Sequence, residues 1–487
     1  MSYRTVARLL GLLLVFLALA EVTPALVGLA YGEDASVVAY LIGAGLTGAL
    51  GYLLMSVGRS ADQTIHRREA LLVVAGGWIG AGLSGAVCFY LDAAVPTYTD
   101  GFFETISGLT TTGSTILTKV DEVTGLWDIS HASMFWRSMC HWLGGMGIIV
   151  LFIAIFPQLG VGGKLLFRNE VPGPITEGLK PRIKETSAAL WRIYLGLTVV
   201  NMIALMLCGM DLFDAANHAM ATLATGGYST RGASVAYYDS VSVDVVTTVF
   251  MLLAGVNFSL YYLIRRGRWR KAASDRELWT YLAIAFMAMI IVTLSIIERH
   301  GGVVEAFRYA AFQVAAIQTT TGFGTDDFNQ YPPVAKLLLV TLMFVGGCAG
   351  STAGGIKVYR IVVIAKATWR ELTHAFQPQL VRAIRVGGAV VPDQIVRTIL
   401  AFFALFVGIW VSASILLAAM GIDIVTSTTA VAATLGNIGP GLERVGSIEN
   451  FAFIPTAGKW LLSGCMILGR LEIVTVAALL VPSFWRR

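Results

Sequence analysis

Charge is what this chain has least of. Only 13% of its 487 residues are Asp, Glu, Lys or Arg, against about 25% in a soluble globular protein. That excludes a water-solvated surface around one large core. Cysteine is scarce as well. The five present are Cys88, Cys140, Cys208, Cys348 and Cys465, with no Cys-x-x-Cys pair and no metal-ligand spacing among them, so neither a disulfide framework nor a zinc site is indicated. All five lie in or beside apolar stretches and read as packing residues. No Walker or dinucleotide fingerprint occurs. With no nucleophile–base constellation or metal cluster either, nothing points to an enzyme.

What the chain has in quantity is apolar residue, 56% of the total, arranged in runs long enough to cross a bilayer at about 20 residues each. Read by apolar length, ten spans fall near 6–31, 36–57, 70–95, 133–157, 186–210, 241–264, 279–298, 334–370, 396–420 and 456–481. In the first, Arg4 and Arg8 precede an apolar run from Leu9 to Ala20, and Ala18-Leu19-Ala20 mimics a signal-peptidase site. The run continues through Ala25–Ala30, broken only by Glu21 and Pro24, so it reads as an uncleaved spanning helix.

Four shorter semi-apolar segments lie between the third and fourth, fifth and sixth, seventh and eighth, and ninth and tenth spans, near 100–112, 213–225, 304–320 and 424–434. Segments this short read as re-entrant. Each ends on a threonine–glycine element: Thr110-Thr111-Thr112-Gly113, Ala224-Thr225-Gly226-Gly227, Thr319-Thr320-Thr321-Gly322 and Ala433-Thr434-Leu435-Gly436. The four final glycines are 114, 95 and 114 residues apart. The expected fold is therefore an all-α polytopic membrane protein, in which an N-terminal hairpin (1–58) precedes four helix–pore loop–helix repeats (59–160, 161–270, 271–385 and 386–487).

The basic residues mark one side. Arg59, His66, Arg67 and Arg68, then Lys164, Arg168, Lys180, Arg182 and Lys184, then Arg265 to Lys271, and Arg370, Arg382 and Arg385 all fall in alternate connections, and both termini join them. The positive-inside rule places that side and both termini in the cytoplasm, so the threonine–glycine loops enter from outside. Every such loop lies among acids on the other side, including Asp121, Asp239, Asp326 and Glu443.

Threonine and glycine suit a narrow polar constriction. A desolvated cation needs replacement oxygens, and stacked backbone carbonyls supply them without fixed charge; glycine allows the backbone angles that aim them inward. A half-helix entering from outside turns its negative end toward the membrane centre. Near the outer ends lie Glu104, Asp214, Glu305 and Asp423, which read as helix caps or dipole partners or as a mouth that concentrates cations.

These loops, with Gly144-Gly145-Met146-Gly147 after His141-Trp142 and with Gly436-Asn437-Ile438-Gly439-Pro440-Gly441, resemble the TrkH family of potassium-translocating subunits over nearly the whole chain. The initial hairpin and Thr321 before Gly322 set the chain apart from the shorter KtrB type. The resemblance implies a pseudo-fourfold pore with filter glycines Gly113, Gly227, Gly322 and Gly436, and with potassium held by carbonyls of Thr111, Thr112, Thr225, Gly226, Thr320, Thr321, Thr434 and Leu435. Leu435 departs from the hydroxyl pattern, so the filter is expected to be asymmetric. A TrkA-like cytosolic nucleotide-binding ring and a homodimer in the bacterial inner membrane are implied as partners, and no nucleic acid.

Two gate elements are expected. Val345–Lys357 holds Gly346, Gly347, Gly350, Gly354 and Gly355, and at about 1 kcal/mol each against alanine these would break the eighth helix, unless they serve only close packing. The resemblance implies a mobile loop here that obstructs the pore. Arg470, in the last span, is costly in lipid and so functional or paired; the resemblance places it on the pore beneath the filter. Glu472 points to another helix face and is a poor partner for it. Arg137 and His141 read as structural, and Lys357 as lying near the cytoplasmic end. The function expected is gated, channel-like potassium uptake. A potassium symporter coupled to H⁺ or Na⁺ is the alternative, disfavoured by the scarcity of acids within the spans.

Overall fold

The computed structural model describes residues 2–59, 66–147, 183–379, 383–387 and 389–486. The end of the fourth predicted span and the boundary drawn at 160 lie outside the described residues. Six helices cross the molecule unbroken: α1 (Tyr3–Tyr31), α2 (Asp34–Val57), α3 (Arg67–Leu91), α6 (Ile183–Leu207), α11 (Arg276–His300) and α15 (Asp393–Ala419). The hairpin α1–α2 is closed by glycine. A Cβ at Gly11 would stand 2.5 Å from the Gly51 carbonyl, so the two backbones touch, as small residues permit between helices in lipid.

The four re-entrant segments are short helices: α4 (Tyr98–Leu109), α7 (Leu212–Ala224), α12 (Val303–Gln318) and α16 (Ile424–Leu435). Three begin on side-chain caps, from Thr97, Asp211 and Asp423 to a backbone amide three residues on. Their C-terminal halves are almost wholly buried, and each passes directly into a threonine–glycine loop.

The helix that follows each loop is the one that departs from expectation. α5 (His131–Gly145), α8 (Val241–Ala254), α13 (Pro333–Val345) and α17 (Thr456–Arg470) all stop after 13 to 15 residues, roughly two-thirds of a bilayer crossing. The eighth span breaks at its glycine run, as expected, and resumes as α14 (Val358–Phe376). The sixth and tenth, expected to be continuous, break too. The chain bends by 91° between α8 and α9 (Phe258–Arg265), and α17 gives way at Leu471 and Glu472 to α18 (Ile473–Leu480). Both breaks are made by partners distant in sequence. The Gly255 carbonyl accepts from Cys348 N at 2.9 Å, and Glu472, at φ +61°, is held by Arg360.

Among the described residues, six crossings are unbroken and three further spans are broken, while α5 of the fourth span is followed to Gly145. One minor β-hairpin, Arg385–Val386 with Ala389–Val390, interrupts the all-α architecture. Both termini reach the same end: Ser2 N donates to Glu69 at 2.5 Å, and Arg68 donates to the Arg486 carbonyl at 2.6 Å.

Candidate functional site

The four loops leave their helices in one conformation. In loop 1, Thr111 takes φ +55° and Gly113 φ +82°; in loop 2, Thr225 and Gly227 take +56° and +78°; in loop 3, Thr320 and Gly322 take +58° and +78°. The residue between them donates to the carbonyl five positions back, at 2.8 Å in every case (Thr112 to Ser107, Gly226 to Ala221, Thr321 to Ala316). The fourth loop has the same geometry, three residues later than the sequence pattern placed it. Asn437 takes φ +54° and Gly439 φ +104°, and Ile438 N donates to the Ala433 carbonyl at 2.8 Å.

The equivalent of Thr111-Thr112-Gly113 is therefore Asn437-Ile438-Gly439. Thr434-Leu435-Gly436 is corrected: Thr434 and Leu435 close α16, and Gly436 caps it at φ −81°. The physical reason is helix length. α16 runs one turn further than the first Thr-x-Gly string would permit, and asparagine, which tolerates the left-handed region, supplies the turn.

These positions close a ring. A Cβ on Gly113 would stand 2.0 Å from the Gly226 carbonyl oxygen, one on Gly227 2.0 Å from that of Thr321, one on Gly322 2.0 Å from that of Ile438, and one on Gly439 2.8 Å from that of Thr112. Each glycine thus packs against the carbonyl of the next loop, and a side chain at any of the four would displace an oxygen of the ring. Asn437 Nδ2 ties loop 4 to loop 1, donating to Thr112 Oγ1 and to the Met466 carbonyl at 3.0 Å each. Ser114 Oγ donates to the Gly439 carbonyl at 3.0 Å.

Arg137 and His141 of α5 brace loops 1 and 2 from behind. Arg137, 2% exposed, pairs with Glu104 at 2.8 Å, donates to the Ser229 carbonyl at 3.1 Å and stacks 4.0 Å from the Tyr228 ring. His141 accepts at Nε2 from Tyr228 N (3.2 Å), so its proton sits on Nδ1 and is given to the Gly108 carbonyl (2.8 Å). Of the four acids expected at the outer ends, Asp423 caps α16, and Glu305, exposed in the first turn of α12, lies 3.6 Å from Arg308. Glu104 and Asp214 are buried in ion pairs, Asp214 with Arg231 at 2.5 Å. Two of the four are thereby neutralised, which weakens the cation-concentrating reading for them.

The ring separates two cavities. One, of about 180 Å³, has Gly113, Gly227, Gly322 and Gly439 in its floor and Tyr228, Ser447 and Asn450 in its walls. The other, of about 460 Å³, lies toward the basic end and is lined by Asn437, Gly354, Lys357, Arg360, Arg470 and Glu472, among others.

Directly beneath the ring runs the glycine-rich connection 346–357. Gly354 N donates to Thr320 Oγ1 at 2.6 Å and Gly355 N to the Gly436 carbonyl at 2.9 Å, so the segment hangs from the third and fourth loops. Gly354 lies so close to Gly436 that a Cβ would come within 2.2 Å of its oxygen. Of the five glycines expected in the gate, Gly346, Gly350 and Gly355 take positive φ, while Gly347 is packed against Ala353 and the Gly255 carbonyl.

Arg470 reaches this segment. Its guanidinium donates to the carbonyls of Thr352 (2.8 Å), Gly144 (2.7 Å) and Gly145 (2.8 Å). It thus joins three repeats and sits on the negative end of α5, where a cation is favoured. Glu472 pairs with Arg360 at 2.5 Å. Lys357, expected near the end of its span, is buried at the root of the connection and donates to the Ala353 carbonyl. Sequence reasoning missed Asn437, Ile438 and Gly439 as ring residues. It also missed Glu277, which accepts from Ala349 N (2.6 Å) and Tyr359 N (3.1 Å) and so holds both ends of the segment.

The chain is similar to known proteins along its whole length. A family model described as "Cation transport protein", TrkH, matches residues 40–487. The Trk system potassium uptake protein TrkH of Halomonas elongata is 39% identical, and that of Escherichia coli K12 38%, each with all of both chains covered. The crystal structure of the potassium transporter TrkH from Vibrio parahaemolyticus superposes with a TM-score of 0.88 at 35% identity, again over all of both chains. A fourfold ring at the end of four half-helices, a connection hung beneath it and full-length similarity converge, and the chain belongs to the TrkH family of cation transport proteins.

Proposed function

We propose that this protein carries potassium into the bacterial cell through a gated, channel-like pore, with the ring as filter and the connection beneath it as gate. The observation that carries this reading is the closed ring, which presents carbonyls from four equivalent positions with no charged side chain in it. Backbone oxygens in that arrangement replace a cation's hydration shell.

In this reading potassium is held by residues 111–113, 225–227, 320–322 and 437–439. Gly346, Gly347, Gly350, Gly354, Gly355 and Arg470 form the gate, because the segment and the guanidinium lie directly beneath the ring on the side of the basic end. That end and both termini face the cytoplasm of the inner membrane. The repeats run 59–160, 161–270, 271–385 and 386–487 after the hairpin 1–58. A homodimer, with a cytosolic nucleotide-binding ring on the basic face, completes the assembly.

A second reading, symport with H⁺, has one observation in its favour. Glu21 in α1 is fully buried, with no basic partner and only the hydroxyls of Thr47 and Ser84 beside its carboxylate among the described residues. Reversal potentials in opposed K⁺, Na⁺ and pH gradients decide between them. A channel gives the potassium equilibrium potential at every pH, whereas a shift with the proton gradient overturns the channel reading.

A further inference from the structure

The sharp bend after α8 has a second consequence, at the membrane surface. Tyr281, in the second turn of α11, donates to the Leu252 carbonyl at 3.1 Å, so the bend lies level with the basic end of a full-length span. α9 leaves there at 91° to α8 and therefore runs along the interface rather than through it. One side of it is anchored: Phe258 and Leu260 are buried, and the Phe258 ring packs edge-on to Tyr194 and Tyr261.

The end of α9 at Arg265, the turn with Arg266 and Arg268, and α10 (Trp269–Ala273) with Arg270 and Lys271 form a run of five cations, all exposed. Among the described residues none of the five forms an ion pair. The nearest acids in sequence are engaged: Asp275 caps α11 through Leu278 N, and Glu277 is taken by the gate connection. Trp269 and Trp279 are 59% and 60% exposed beside these cations. Arg266 lies over the Tyr262 ring at 4.7 Å and Arg270 over Trp269 at 5.4 Å. Exposed tryptophans beside cations that pair with no acid among the described residues, directly after a helix that lies flat, fit the boundary of a bilayer better than a soluble partner.

We propose that residues 258–273 bind the headgroups of anionic phospholipids in the basic-side leaflet, and that occupancy bears on the gate. The mechanical link is short: Phe258 N donates to the Gly350 carbonyl at 3.0 Å, and Cys348 N to the Gly255 carbonyl at 2.9 Å. The first residue of α9 thus holds the connection beneath the ring. This second half of the proposal rests on the gate reading above.

The test uses the full chain in vesicles of phosphatidylcholine alone or with one-quarter phosphatidylglycerol, read by native mass spectrometry for retained lipid and by rubidium flux. Each cation near an anionic leaflet contributes about fivefold to binding, so Arg268→Gln with Lys271→Gln lowers phosphatidylglycerol retention about twentyfold to thirtyfold. The same pair abolishes the difference in flux between the two vesicles, while Arg268→Lys preserves both. Unchanged retention in the double variant, or displacement of lipid by millimolar inorganic phosphate, overturns the site. Reduced retention with an unchanged flux difference overturns the coupling. A chain shortened at 350–355 separates the two readings: if its flux does not rise, the gate reading fails, while retention still decides the lipid site.

Discussion

The ring and the layer beneath it are built from the same four repeats and obey opposite rules. In the ring, four loops of which only the first and third share a sequence converge on one backbone conformation, with the same hydrogen bond at 2.8 Å in each. One layer down, where each second helix stops after 13 to 15 residues, the repeats diverge. One break is a 91° bend, one a twelve-residue glycine-rich connection, one ends on Arg470, and the fourth supplies carbonyls to that arginine. Under the proposed reading, coordination of a spherical ion is insensitive to which repeat supplies an oxygen, so symmetry persists in the ring, and an obstruction needs only one repeat to provide it, so symmetry is lost below.

The comparison breaks most visibly from below. Arg470→Ala, or removal of 350–355, raises potassium flux by about 70-fold to 400-fold, the scale set by about 2.5–3.5 kcal/mol for a buried arginine, and leaves the potassium-to-sodium ratio in place. Flux in proteoliposomes at matched protein levels checks this, and no rise counts against the gate. From above, Gly439→Ala and Gly113→Ala each lower that ratio by about tenfold, because a methyl group displaces the facing carbonyl. Gly436→Ala, outside the ring, alters flux through the connection it supports and spares selectivity. Equal bi-ionic potentials in Gly436→Ala and Gly439→Ala chains would sink the revised fourth loop.

Two smaller effects test how each layer is supported. Arg137→Met strands the Glu104 carboxylate in the core and costs about 3–5 kcal/mol, seen as a lower unfolding temperature in detergent; a chain as stable as the parent would remove Arg137 from the bracing role. Glu472→Gln releases Arg360 and raises flux only severalfold. The swap of Arg360→Glu with Glu472→Arg restores the parent rate if the pair acts as a tie between the connection and Arg470's helix. Least of all, Glu305→Gln and Asp423→Asn change conductance less than twofold in about 0.15 M salt, where exposed charges are screened. A larger drop would revive the cation-concentrating mouth.

Much of this was legible in the sequence, and for identifiable reasons. The half-helices announce themselves by length, since an apolar stretch of 12 to 16 residues cannot cross a bilayer. The glycine run at 346–355 announces a break by composition. The fourth loop misleads because Thr434-Leu435-Gly436 mimics Thr-x-Gly at the helix end itself, one turn before the loop takes its left-handed residue. What distinguishes the correct string is backbone angle, and Asn437 was the available signal.

The bends at 255–257 and 471–472 have no such signal. Single polar residues such as Asn257 and Glu472 fall short of a composition that breaks a helix, and the bends are held by Cys348 and Arg360 from elsewhere in the chain. The pairing of Glu104 with Arg137 and of Asp214 with Arg231 was likewise invisible, because each joins an acid on a half-helix to a base well outside it.

The contacts around the ring have a direction. Loop 1 leans on loop 2, loop 2 on loop 3, loop 3 on loop 4 and loop 4 on loop 1, always glycine to carbonyl and never the reverse. A lesion at Gly113 is therefore felt first at Gly226, and a second-site suppressor belongs in the loop ahead rather than in the one that was mutated. Genetic repair of this pore should travel one way around its axis.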